Sequence, residues 1–197
     1  MIVPINTYLC NLNNIRTMSD NHTPEQRHLN MAAVHSASTK PELKLRRALW
    51  RLGFRYGVNV KRLPGSPDIV LSKYHTAIFV HGCFWHGHKD CKNASIPKTN
   101  TDFWTAKITR NQQRDQEVWR QLEAKGWFVI IVWECQLKKG KLQETVEVVI
   151  NEIRKNGEIY GSIQSDRKIA RASYLEGRKI HKEHVSSLLT EIQNRIK

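Results

Sequence analysis

The stretch Val80-His81-Gly82-Cys83-Phe84-Trp85-His86-Gly87-His88-Lys89-Asp90-Cys91 gathers two cysteines, three histidines, adjacent aromatics and an aspartate in one polar segment. A loop that merely joins two strands has no need of so many metal-binding and proton-transferring groups. Cys83, His88 and Cys91 follow the spacing C-x4-H-x2-C, and Cys135 is a further thiol downstream. Three thiolates and one imidazole form a closed tetrahedral set suited to Zn2+. A metal would also fix a polar loop that has little core of its own. His86 is the alternative nitrogen ligand. The plainer reading leaves Cys135 as a small buried hydrophobe and Cys83 as an idle thiol. Cys10 has no companion in sequence.

A second chemistry centres on Asp68, in Pro64-Gly65-Ser66-Pro67-Asp68 ahead of the apolar Ile69-Val70-Leu71. Ser72-Lys73-Tyr74-His75 turns the chain and Thr76-Ala77-Ile78-Phe79-Val80 returns, so Asp68 and His81 fall at one end of a sheet. A carboxylate there can hold Mg2+ in an oxygen-rich shell, to which Val80 can add a backbone carbonyl. An imidazole titrates close to neutral pH, so His86, held between two candidate ligands in sequence, suits a general base. Pro-Asp at a strand start is also a common turn device. Glu42 has an equally plain role, three residues after Thr39, as the acid of a helix capping box.

The elements that must position these groups read as an α/β domain with a mixed sheet flanked by helices. Thr39 caps a helix with Pro41 in its first turn, a buried stripe of Leu45, Ala48, Leu49 and Leu52, and Gly53 as its stop. Strands are expected at Phe54–Val60, Pro67–Leu71 and Thr76–Val80, and a long polar loop covers Gly82–Asn100. A helix follows from about Asp102 to Lys125. Trp127–Trp133 is continuously apolar and reads as a buried central strand, with an amphipathic helix over Leu142–Lys155. Beyond Asn156 the chain is polar and punctuated by glycine, with one or two exposed helices expected from about Ser165. This gives a disordered extension at 1–23, a catalytic domain at 24–155 and a basic, helical appendage at 156–197.

Lys plus Arg number 32 against 18 acids, a formal charge of +14. That excess favours a polyanionic partner, above all nucleic acid. The basic residues show no apolar companion face of the kind an interfacial membrane helix carries, and no apolar stretch has transmembrane length. Met1–Thr17 lacks the pattern of a signal peptide, and cysteines grouped with histidines suit a reducing cytoplasm. Phe84-Trp85 and Phe103-Trp104 are aromatics near loop positions that could enter a base stack, with Phe103 the one expected to be buried. Lys107, Arg110 and Arg114 recur at helical spacing and can follow phosphates; a solvated face is the simpler alternative.

Gly65-Ser66-Pro67-Asp68, Phe79-Val80-His81-Gly82-Cys83-Phe84-Trp85-His86, Phe103-Trp104 with Lys107-Ile108, and Ile131-Val132-Trp133-Glu134-Cys135 together resemble the Vsr very short patch repair endonucleases. The resemblance covers about residues 24–155. It implies a variant of the restriction-endonuclease-like fold and a nick in duplex DNA 5′ to the thymine of a T·G mismatch left by 5-methylcytosine deamination. It implies that Asp68 binds catalytic Mg2+ with the Val80 carbonyl, and that His86 is the general base. His81 and Glu42 then support the cation's water shell and proton network. Phe84, Trp85 and Trp104 match intercalating aromatics, and Cys83, His88, Cys91 and Cys135 match structural zinc ligands. The implied setting is a monomer at the bacterial nucleoid, linked to MutL and MutS. Val80 stands where well-known members carry threonine, the Cys83–Cys91 loop is one residue longer, and His81 lies near where related nucleases place a lysine. Two rival readings remain in view: a zinc-stabilised DNA-binding module without catalysis, and a restriction-type endonuclease acting on unmodified duplex.

Overall fold

A computed structural model describes Thr17, Met18, Thr23, Glu25, Gln26, Leu29 and residues 38–196, with side chains described as far as Lys179. Cys10 and most of the 1–23 extension lie outside these residues. In chain order the elements are β1 (Thr17–Met18), α1 (Lys40–Arg51), β2 (Ile69–Leu71), β3 (Thr76–His81), β4 (Ile96–Pro97), α2 (Thr101–Ala124), β5 (Phe128–Trp133) and α3 (Leu142–Ile196). Thr17–Met18 is paired backbone, running parallel to β4, where the sequence suggested disorder.

The functional scaffold is a mixed three-stranded sheet in the order β2-β3-β5. β2 and β3 are antiparallel, with Ile69 opposite Ile78, while β3 and β5 are parallel, with His81 opposite Trp133. β3 is therefore the central strand, not β5 as its apolar run suggested. β5 reads as continuously apolar because both its faces are covered. Ile130 and Val132 join the core containing Leu45, Leu49, Val149 and Ile153, whereas Ile131 and Trp133 join the one containing Phe79, Cys83, Trp119 and Leu122. Burial on two faces, rather than sheet position, writes that pattern.

α1 begins as its sequence dictates. Thr39 caps it, and the Glu42 carboxylate accepts the Thr39 backbone N–H at 3.2 Å, completing the capping box. Its buried face is Glu42, Leu45, Arg46 and Leu49, while Leu52 is 56% exposed, because it sits past the last turn at the C-cap. The expected strand at 54–60 does not form. Phe54 enters the core, but apart from the Gly57–Val70 bridge the segment is irregular, and Asn59 adopts a positive φ of 46° that no ladder continues through.

The chain divides into two compact units, Met1–Gly157 and Glu158–Lys197. α3 contributes Val146, Val149, Ile150 and Ile153 to the core of the first. It runs as one helix to Ile196, where the glycine-punctuated composition suggested a break. Gly157 is tolerated for a packing reason: a Cβ there would stand 2.6 Å from the Tyr74 ring. Among the described residues no helix is long and apolar enough to cross a membrane.

Candidate active site and metal centre

The end of the sheet where β2 begins and β3 finishes opens into a cleft of about 1060 Å³, lined among others by Glu42, Asp68, His81, Trp85, His86, Asp115 and Glu134. The antiparallel register brings Asp68 level with the end of β3, and its Oδ2 accepts the Val80 N–H at 2.7 Å. One carboxylate oxygen is thereby fixed and the carboxyl is aimed. Burial, reinforced by the nearby Glu42 charge against the opposing pull of that hydrogen bond, raises the Asp68 pKa to about 6. A half-desolvated carboxyl of this kind gains from a cation, which neutralises the charge that burial penalises. The donor set therefore fits a hard divalent ion.

His86 lies beside Asp68's end of the cleft on the polar loop. Its Nδ1 hydrogen-bonds to Asp115 Oδ2. An Nδ1–H donated to the carboxylate leaves Nε2 as a lone-pair acceptor, the arrangement a general base requires. Burial alone would raise the Asp115 carboxyl, but the hydrogen bond and charge of His86, with His81 and Arg114, hold it below its ordinary value. His81 stacks on His86 with ring centroids 3.7 Å apart and planes 13° from parallel. It is 4% exposed, and burial, with the His86 charge next, lowers its pKa to about 3, so it is neutral at working pH. Donor atoms of His81, His86 and Asp115 all lie within 4.8 Å of one another. Parallel rings do not aim their in-plane lone pairs at one point, so the arrangement suits proton transfer better than metal binding.

The loop carrying His86 is clamped from α2. Asn111 donates to Trp85 O at 2.9 Å and Gln112 to His86 O at 3.2 Å. Gly87 has φ +60°, and a Cβ on it would stand 2.4 Å from Gln112 Nε2. Asp115, Asn111 and Gln112 escaped the sequence reading, although Asp115 left a signal. It occupies a core position in the stripe Ile108, Asp115, Trp119 and Leu122, and an acid there needs a partner.

Of the two roles left open, the structure shows Glu42 in the capping box. It lines the cleft, yet its oxygens accept from the Ser38 and Thr39 backbone and from Arg46 Nη2, the last at 3.0 Å. Arg46, which the sequence reading passed over, also donates to Asp68 O at 3.0 Å, so α1 is fastened to the aspartate's own backbone.

The parallel pairing of β3 with β5 sets Cys83 and Cys135 two residues beyond paired strand ends. Cys83, His88, Cys91 and Cys135 bring donor atoms within 4.8 Å of one another. His88 Nδ1 lies 3.3 Å from Cys83 Sγ and 3.5 Å from Cys135 Sγ. A tetrahedral ion with Zn–S and Zn–N bonds of ordinary length has donor–donor edges of about 3.5 Å, so the set fits a metal ion. The structure brings His88, not His86, to the thiols. Burial pushes the Cys83 and Cys135 thiols up, and a bound cation would reverse this.

Phe84, Trp85 and Trp104 form one edge-to-face group, with centroids 5.2 to 6.0 Å apart. Phe103 is 56% exposed, contrary to its expected burial. The helix turns Ile108 inward and leaves Phe103 beside Trp104 on the outside. Lys107 and Arg110 are exposed on α2, and Arg114 holds Asp115 Oδ1 at 3.2 Å.

A profile of the family described as DNA mismatch endonuclease Vsr matches residues 19–93. The type II nicking enzyme V.NmeAIP of Neisseria meningitidis is 49% identical over 138 residues, 70% of this chain and 98% of that protein. The DNA mismatch endonuclease Vsr of Escherichia coli is 39% identical over 136 residues, 69% of this chain and 86% of that protein. The chain belongs to the Vsr family. As a Vsr-family protein it is a DNA endonuclease, a hydrolase of phosphodiester bonds. The type II nicking enzyme V.XorIIP of Xanthomonas oryzae, 44% identical over 68% of this chain and 98% of that protein, adds to the same grouping.

Proposed function

We propose that this Vsr-family protein nicks duplex DNA 5′ to the thymine of a T·G mismatch, by Mg2+-dependent hydrolysis, within a restriction-endonuclease-like domain spanning residues 24–155. The observation that carries the chemistry is the His86–Asp115 pair standing in the same cleft as Asp68. His86 Nε2 takes a proton from water, whose oxygen attacks the phosphorus, and the 3′ oxygen leaves. Asp115 keeps the imidazole in the tautomer with Nε2 free and offsets the positive charge it acquires. Neutral His81, stacked on the ring, holds its plane. Asp68 and the Val80 carbonyl would hold Mg2+, which supplies neutralisation of the charge building on the phosphate and the leaving oxygen. Glu42 and Arg46 hold Asp68 in register.

Phe84, Trp85 and Trp104 enter the stack beside the mismatch, where poor pairing lowers the cost of unstacking. Lys107, Arg110 and Arg114 follow the phosphates. Cys83, His88, Cys91 and Cys135 hold a structural Zn2+. The names of several relatives as nicking enzymes favour cleavage of one strand. On the same reading the enzyme works as a monomer in the bacterial cytoplasm, at the nucleoid, with MutL and MutS as partners in repair. The test compares nicking of a T·G duplex with its matched control in Mg2+. Faster nicking of the mismatch is expected; equal rates would remove the mismatch specificity, and a restriction-type activity would take its place.

A further inference from the structure

The second compact unit, Glu158–Lys197, carries charge in an ordered way. Arg167, Lys168, Arg171, Arg178 and Lys179 are all exposed on α3. At 3.6 residues per turn these five fall within about 120° of arc. The acids of the same described stretch, Glu158, Asp166 and Glu176, fall outside that arc. None of the five cations forms an ion pair with a described carboxylate, whereas Arg46, Arg114 and Arg120 do. Arg178 instead lies over a ring of its own helix, 6.0 Å from the centroid of Tyr174. Arg167, Arg171 and Arg178 follow one another along about 16 Å of helix. That is long enough for each to meet a different phosphate of a DNA strand.

We infer that this basic face of α3 is a second, sequence-independent contact for the sugar-phosphate backbone of duplex DNA. Charge complementarity selects the occupant: unpaired guanidinium and ammonium groups on one arc match a line of phosphates. An anionic membrane is a poorer match, because the three most exposed apolar side chains of this stretch, Ile169, Tyr174 and Leu175, are spread about 100–140° apart around the helix and make no single apolar face to insert. The inference rests on DNA being the substrate, and is independent of mismatch specificity and of the assigned catalytic groups.

The test uses the full chain with Arg167→Gln, Arg171→Gln and Arg178→Gln combined. Affinity for a matched duplex is measured from 50 to 200 mM salt, beside single-turnover nicking of a mismatched duplex at saturating enzyme. Three lost phosphate contacts should flatten the plot of log affinity against log salt by about 2.7. The affinity loss across that salt range should then be roughly 40-fold smaller than for the unaltered protein. Saturated nicking should be unchanged. The corresponding Arg→Lys triple should restore the slope, and Lys168→Gln with Lys179→Gln should flatten it by about 1.8. An unaltered slope in the glutamine triple and in the lysine-site pair would overturn the inference. So would equal flattening by Glu158→Gln, Asp166→Asn and Glu176→Gln on the rest of the helix surface. A slope that is unaltered while self-association falls would assign the face to a second copy of the chain instead. Failure of the nicking assay alone would count against the proposed catalytic function and leave the salt slope to decide this contact.

Discussion

At the scale of single residues, the proposed mechanism assigns Asp68 and His86 different work because their surroundings differ. Asp68 is penalised by burial and His86 is oriented by Asp115. The raised Asp68 pKa has a definite sign in stability. Between its ordinary value and about 6, the folded, metal-free protein keeps a proton that the unfolded chain has released. Metal-free stability therefore falls as pH rises through that window, by on the order of 3 kcal/mol. Asp68→Asn should raise the metal-free Tm at pH 7.5 and not at pH 4, while abolishing stabilisation by Mg2+. An equal shift of Tm at both pH values would contradict the burial argument. Nicking should also decline below about pH 6, where protons compete with the cation for the carboxylate. Asp115→Asn leaves the shape nearly intact but removes the charge that orients His86. Single-turnover nicking should fall by about 10²-fold or more with DNA affinity retained; an undiminished rate would make the contact structural. His81 and His86 are legible because histidines and cysteines are rare together in one turn-rich segment, and Asp68 because it leads into a strand whose antiparallel partner ends beside it. Asp115 is not, because one acid on a long polar helix looks like solvated surface until the helix phase shows it facing inward.

At the scale of elements, the site depends on a register and a clamp. The antiparallel β2-β3 pair could be read from Ser72–His75 between two apolar runs, and it sets Asp68 beside Val80. The 54–60 segment misled because its apolar and aromatic residues imitate a strand, while the backbone at Asn59 turns away from the ladder. β5 misled in position because two covered faces give an edge strand the composition of a central one. The α2 clamp on the loop yields its own prediction. Gly87→Ala places a methyl against Gln112 and Ile108 at a left-handed φ. It should cost about 1–3 kcal/mol and reduce nicking by shifting His86, read by Tm and by single-turnover rate. A variant with unaltered Tm and rate would show that the loop is not held there. The Cys/His cluster joins the same loop to the end of β5. Chelation, or Cys135→Ser, should lower Tm and nicking together. A Tm indifferent to both would show that the cluster carries no structural metal.

At the scale of the whole molecule, a net +14 frames everything. A basic chain approaches DNA through its field and reads the site by contact, so binding and cleavage are separable quantities. The length of α3 is not legible in its composition, because the stretch beyond Asn156 is polar and punctuated by glycines at 157, 161 and 177. A glycine costs a helix about 1 kcal/mol, which continuous hydrogen bonding on either side outweighs. The separation of binding from cleavage also supplies the most direct test of the catalytic assignment. Single-turnover nicking of a T·G duplex in Mg2+ is measured for the unaltered protein, His86→Ala and Asp68→Asn, with DNA affinity measured in parallel. The account predicts cleavage by the unaltered protein alone, with all three binding DNA comparably; His86→Ala cutting at the unaltered rate would contradict it.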